Sequence, residues 1–168
     1  MALAHAALGK SLYAHSYRTC QSRSGYNSLN QNLDGHVRTL LVDDHKEFRK
    51  LILEILNQRQ EITVIGQSQD GVDAVLQSER LQPDLILLDI GLPGLNGIAA
   101  ARKIRMVAPH AKIIFLTQES TAEVVREAFA LGACGYVIKL QMSTELLESV
   151  DAVMRGKNFL SRGLATPS

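Results

Sequence analysis

Leu85-Ile86-Leu87-Leu88-Asp89-Ile90-Gly91-Leu92-Pro93-Gly94-Leu95-Asn96-Gly97 is the stretch that decides the fold. Four apolar residues run into a single acid, and a loop carrying three glycines and a proline follows. A continuous apolar run fits a strand buried on both faces of a parallel sheet. The Pro93-Gly94 pair marks a turn. Asp89 is therefore expected at the carboxyl end of a central strand, where open α/β sheets hold their ligands. An acid in that place either does chemistry or bonds nearby backbone amides as a loop cap.

Outward from this stretch, strand-like and helix-like runs alternate. Residues 37–42 read as a first strand. Phe48, Leu51, Ile52, Ile55 and Leu56 then repeat at helical spacing. Residues 62–65 read as a short second strand, and Asp70-Gly71 turns into a helix carrying Val72, Val75 and Leu76. Pro83 precedes the third strand, 84–88. Ile98, Ala101 and Ile104 stripe the next helix, which stops before Pro109. Residues 113–116 form a fourth strand ending at Thr117. Ser120-Thr121-Ala122-Glu123 has capping-box spacing, with Ser120 at the cap. Its helix carries Val125, Ala128 and Phe129 and stops at Gly132. Residues 135–138 form the fifth strand. Leu146, Val150 and Val153 mark the last helix, which Gly156 ends. Such alternation predicts an α/β doubly wound fold with right-handed crossovers and a five-stranded parallel sheet.

In a sheet of order 2-1-3-4-5, the strand ends converge on one crevice. Asp43 and Asp44 end the first strand, Asp89 the third, Thr117 the fourth and Lys139 the fifth. Three carboxylates there repel one another, by about 4 kcal/mol for a pair near 4 Å at an effective dielectric of 20. Lys139 offsets part of this, and a divalent cation in an all-oxygen site, best suited to Mg2+, would offset the rest. Thr117 and Lys139 are placed to hold phosphoryl oxygens, so the set points to phosphoryl transfer onto a carboxylate. Asp89 on the central strand is the natural nucleophile. Singly, each residue has a blander reading: Asp43 or Asp44 as a helix cap, Thr117 as a turn residue, Lys139 as a solvated cation.

With these residues in place, the sequence closely resembles the receiver domain of bacterial two-component response regulators. The matching residues are Val42-Asp43-Asp44-His45, residues 88–97, Leu116-Thr117 and residues 132–139. The resemblance implies a flavodoxin-like (βα)5 fold over residues 36–158. It implies that Asp89 accepts a phosphoryl group from a phosphohistidine on a sensor histidine kinase or phosphotransfer protein. Asp44 would then bind magnesium directly and Asp43 largely through water, with Asp89 and the Gly91 backbone carbonyl as further ligands. Thr117 and Lys139 would hold phosphoryl oxygens. Tyr136 matches the family's switch aromatic, which turns inward as Thr117 moves toward the phosphate. The responding face would be the fourth helix, fifth strand and fifth helix, with a homodimer forming on phosphorylation. Such a receiver catalyses only its own phosphorylation and dephosphorylation and is not otherwise an enzyme. The ending Arg155-Gly156-Lys157-Asn158-Phe159-Leu160-Ser161 looks most like the subgroup with LuxR/NarL/FixJ-type helix-turn-helix output. No output domain follows, which implies a stand-alone receiver or a fragment, with 159–168 as a short tail or truncated linker. Gln118, Gly91 and Leu140 depart from common family choices, and Leu140 replaces a proline, so no cis peptide is expected there.

The rest of the composition narrows the alternatives. A net charge of +1 over 168 residues gives no dominating field for nucleic acid or membrane surfaces. Arg102, Lys103, Arg105, His110 and Lys112 cluster, but read as a solvated helix face, so no direct nucleic-acid binding by this chain is expected. No apolar run reaches membrane-span length. Cys20 and Cys134 have neither ligand spacing nor a disulfide-framework pattern, which fits a reducing cytoplasm. Residues 1–35, rich in Ser, Asn, Gln and Arg from Ser16 to Asn32, read as a disordered extension. A flavodoxin would need a phosphate-cradling loop where Asp43-Asp44-His45 stands. A metal-dependent phosphatase would need an acid at Gly91. A phosphorylation-independent interaction module on the receiver scaffold is the remaining alternative.

Overall fold

The structure, a computed structural model, describes residues 35–164. The expectation of a disordered extension falls, apart from Gly35, outside the described residues. Five strand–helix pairs follow in order. They are β1 (Val37–Val42), α1 (Lys46–Leu56), β2 (Ile62–Ser68), α2 (Gly71–Leu81), β3 (Leu85–Leu88), α3 (Gly97–Val107), β4 (Lys112–Thr117), α4 (Ala122–Ala130), β5 (Gly135–Ile138) and α5 (Met142–Met154). A two-residue strand, β6 (Phe159–Leu160), closes the series. The sheet runs β2-β1-β3-β4-β5-β6, and every pairing is parallel.

The doubly wound order is as read from the sequence, extended by one strand. Phe159 and Leu160 fall within the residues read as a tail, yet they pair with Gly135 and Tyr136. Two residues carry no periodicity, so pattern alone does not announce such a strand. The second strand also runs three residues past Ile65, to Ser68, across a register shift at Thr39/Leu40. At the start of α4 the cap is Thr121, one residue later than expected, and it makes no side-chain capping bond.

Side-chain alternation divides the core into two layers. Leu40, Val42, Ile86, Leu88, Ile113, Phe115 and Tyr136 pack under α2, α3 and α4. Leu41, Leu85, Leu87, Ile114, Leu116 and Val137 pack under α1 and α5. The same parity continues past the strand ends. Asp43, Asp89 and Lys139 therefore follow the α1/α5 side, whereas Thr117 and Tyr136 follow the α4 side.

Gly97, the first residue of α3, is where that helix meets the functional loop. A methyl group built on it would collide with the Asp89 carbonyl oxygen and lie 2.7 Å from Ile90 Cα. Both obstacles are backbone, so neither swings aside. Its amide donates to Ile90 O at 2.9 Å, which closes the loop against β3. Gly97→Ala is expected to cost about 1–3 kcal/mol, the usual range for overpacking. Urea unfolding of the two proteins measures it.

Candidate functional site

Three backbone facts align the strand ends. Asp89 N–H donates to Val42 O at 2.9 Å, which sets Asp89 beside Asp43. Asp43 N–H donates to Ser68 O at 3.1 Å. Thr117 pairs with Ile138, so Lys139 lies just beyond β4's end. Parallel pairing thus brings Asp43, Asp89, Thr117 and Lys139 to one edge of the sheet.

Lys139 is the hub. Its Nζ lies 2.8 Å from Asp89 Oδ2 and 2.6 Å from Asp43 Oδ2, and it sits 4.4 Å from the centre of the Phe48 ring. Asp43, Asp89 and Lys139 are all buried. Asp44 is half-buried, and its Oδ1 lies 2.9 Å from His45 Nδ1. One ammonium cannot balance three carboxylates, so two negative charges are left over when His45 is neutral.

The donor set fits a divalent cation. Asp43 Oδ2 and Asp44 Oδ1 are buried oxygens that accept no aligned hydrogen bond. Lys139 and His45 approach them closely but without that alignment, so lone pairs remain open. Hard oxygen donors carrying two excess negative charges match magnesium. Gly91 contributes differently. Its N–H donates to Asp89 Oδ1 at 3.2 Å, and a side chain there would stand 3.8 Å from the Asp89 carboxylate. Glycine thus leaves the approach to Asp89 open.

Neither acid of the pair caps α1 by the expected route. The N-cap residue is His45, which makes no side-chain capping bond. Asp43 Oδ1 instead accepts from the His45 backbone amide at 2.8 Å. Thr117 is buried, and its Oγ1 accepts from Glu119 N at 3.1 Å rather than bonding a carboxylate. Tyr136 is wholly buried and its hydroxyl donates to Glu119 O at 3.0 Å. Burial pushes its phenol above the usual value, and the charges of Glu119 and Asp89 push the same way. Thr117 and Tyr136 thus hold the same residue, Glu119, with the tyrosine in its inward position. Gln118 is exposed and lines, with Phe48, Ile138, Lys139 and Leu140, an open pocket of about 300 Å³. No peptide bond among the described residues is cis, including the one before Leu140.

Other contacts had no signal in the sequence. Glu145 on α5 is buried and accepts from Ser161 Oγ and from the Arg162 amide at 3.2 Å. Ser161 Oγ in turn accepts from Ile138 N at 2.9 Å, one residue before Lys139. Ser161→Ala would leave the Ile138 amide and Glu145 short of a partner, at an expected cost of about 1–3 kcal/mol. Chemical denaturation reads that loss directly. The basic cluster is less solvated than its spacing implies. Arg105 donates to Ala111 O and Gly132 O, and Lys112 donates to Val153 O at 2.8 Å. Burial lowers the pKa of both cations. Arg102 pairs with Glu127 at 2.6 Å.

Comparison with known proteins bears on the fold that carries these residues. The family model for the response regulator receiver domain matches residues 39–151. The chain is 35% identical over 121 residues to the uncharacterized transcriptional regulatory protein YxjL of Bacillus subtilis, covering 72% of this chain and 56% of that one. It is 40% identical over 117 residues to Protein CcdB of the same organism, covering 70% and 97%. A solved two-component response regulator of the LuxR family from Aurantimonas sp. SI85-9A1 superposes with a TM-score of 0.74 at 30% identity, over 79% of this chain and 94% of that one. The chain spans little more than half the length of the longer curated relatives it matches. Among the described residues, no helix is long and apolar enough to cross a membrane.

Proposed function

The chain belongs to the response regulator receiver domain family, and from that premise we propose that Asp89 is its phosphoryl acceptor. The observation that carries this reading is the buried contact of Lys139 with both Asp43 and Asp89. The donor is a phosphohistidine on a sensor kinase or phosphotransfer protein. Asp89 attacks phosphorus, a P–O bond forms, the P–N bond breaks, and the histidine leaves with its electron pair. Lys139 and Thr117 hold phosphoryl oxygens. Asp43, Asp44, Asp89 and the Gly91 carbonyl would hold Mg2+, which when bound neutralises the acids and screens the incoming phosphoryl charge.

The aspartyl phosphate adds roughly −1.5 to −2 of charge beside Thr117. Competition for the Thr117 hydroxyl would shift Glu119, and with it Tyr136, on the α4–β5–α5 face. That surface then controls a partner, a second copy of the chain or a DNA-binding output domain such as longer relatives would carry. The setting is the cytoplasm, where such kinases act, and the chain has no catalytic role beyond its own phosphorylation and dephosphorylation. The inward, hydrogen-bonded Tyr136 is also compatible with a phosphorylation-independent interaction module, but that role leaves the full acid set unexplained.

Acetyl phosphate with magnesium tests the proposal. Intact mass is expected to show one phosphoryl adduct that needs the metal. No adduct with either donor or kinase would count against it. Sedimentation with and without the donor tests dimer formation.

A further inference from the structure

We propose that His45 is a metal ligand of this site, extending it from magnesium to divalent ions that favour imidazole, such as Ni2+. The inference rests on the receiver reading above and adds one residue to it. His45 Nδ1 and one carboxylate oxygen each from Asp43, Asp44 and Asp89 all lie within 4.8 Å of one another. Donors on opposite sides of one ion, each at about 2.0–2.2 Å, stand no more than about 4.4 Å apart. The set therefore needs to close by only a few tenths of an ångström.

The imidazole is already aimed at the acids. Nδ1 lies 2.9 Å from Asp44 Oδ1 and 3.6 Å from Asp43 Oδ1. Its ring meets Phe48 edge-on, 5.9 Å between centroids at 88°. Its own amide is anchored on Asp43. No helix-capping bond has to be given up, since the side chain makes none. The side chain is 59% exposed, which leaves room for an ion with its water. A plain ion pair with Asp44 accounts for the shortest contact alone. It leaves two buried oxygens of the cluster, Asp44 Oδ1 beside His45 and Asp43 Oδ2 beside Lys139, accepting no aligned hydrogen bond.

Two ions would then use the crevice differently. Magnesium prefers oxygen and keeps its waters, so it is held by the carboxylates with His45 standing aside. Nickel, copper and zinc accept imidazole readily and bind mixed nitrogen–oxygen sites more tightly. One residue thus sets which divalent ion competes for the receiver.

Calorimetric titration of the full chain with Mg2+ and with Ni2+ separates the possibilities, using wild type, His45→Ala and Asp44→Asn. The chain has five histidines, so the relevant Ni2+ step is the one that excess Mg2+ displaces. That step is expected to weaken by roughly tenfold or more in His45→Ala, while Mg2+ binding holds. Asp44→Asn is expected to weaken both. An unchanged Ni2+ step in His45→Ala, with Mg2+ binding intact, overturns the role of His45 and leaves the receiver reading standing. Failure of Mg2+ to bind the wild type, or indifference of both ions to Asp44→Asn, overturns the metal site itself and His45 with it.

Discussion

Asp89→Ala will abolish the magnesium-dependent phosphoryl adduct formed with acetyl phosphate, while the protein stays folded. The carboxylate is 4% exposed and lies at the centre of the sheet edge, held by Lys139 on Oδ2 and by the Gly91 amide on Oδ1. Among the described residues, no other carboxylate occupies a matching position. Asp43 is 1% exposed and Asp44 stands against His45 at the mouth of α1. The fold survives because Lys139 keeps Asp43 at 2.6 Å and the strand pairing does not involve the lost side chain. Intact mass before and after donor treatment reads the adduct, and circular dichroism reads the fold. An adduct that persists in the variant would move the nucleophile elsewhere, with Asp43 and Asp44 next to be replaced.

The second large effect concerns Lys139. Replacing it by methionine keeps the apolar stem on Phe48 but removes the charge that two buried carboxylates share. Losing one partner of a buried ion pair costs about 3–5 kcal/mol, because the survivors stay desolvated and unpaired. The loss should be largest without metal. A divalent ion binding only the folded state stabilises it by mass action, and a site with more uncompensated negative charge gains more. Urea unfolding of wild type and Lys139→Met, with and without magnesium, should show the gap narrowing when magnesium is present. A gap under about 1 kcal/mol without metal would mean the pair is solvated, like a surface bridge. A gap that magnesium does not narrow would mean the ion sits elsewhere. Phosphorylation should also be lost in this variant, since the ammonium that would hold a phosphoryl oxygen is gone.

The sequence carried the sheet and the acids because both rest on local pattern. The run 85–88 is apolar without alternation, and the structure buries it on both faces. Once strand order is known, residues one step past the strand ends must meet. What the sequence did not show depends on contacts between distant segments. Glu145 looks like any acid on an amphipathic helix, and only Ser161, sixteen residues on, makes it a buried acceptor. His45 belongs to the motif that carries the family likeness, but its ring direction is set by Phe48, one turn along α1. Ser120-Thr121-Ala122-Glu123 shows the opposite error. The spacing of a capping box is there, but the helix starts one residue late for it.

The hydroxyl of Ser161 has a mechanical meaning. It joins the segment leaving β6 to the amide of Ile138, and Lys139 is the next residue. Tension on the chain beyond Leu164 therefore meets Ser161, then Ile138, before it spreads through the sheet. The segment that follows β6 and Lys139 lie in series. Whatever grips residues 161–164 holds a tether to the strand end that carries Lys139. By the reciprocity of linked equilibria, any change such a grip makes in ligand affinity at the acids is returned by the ligand as the same factor on the grip.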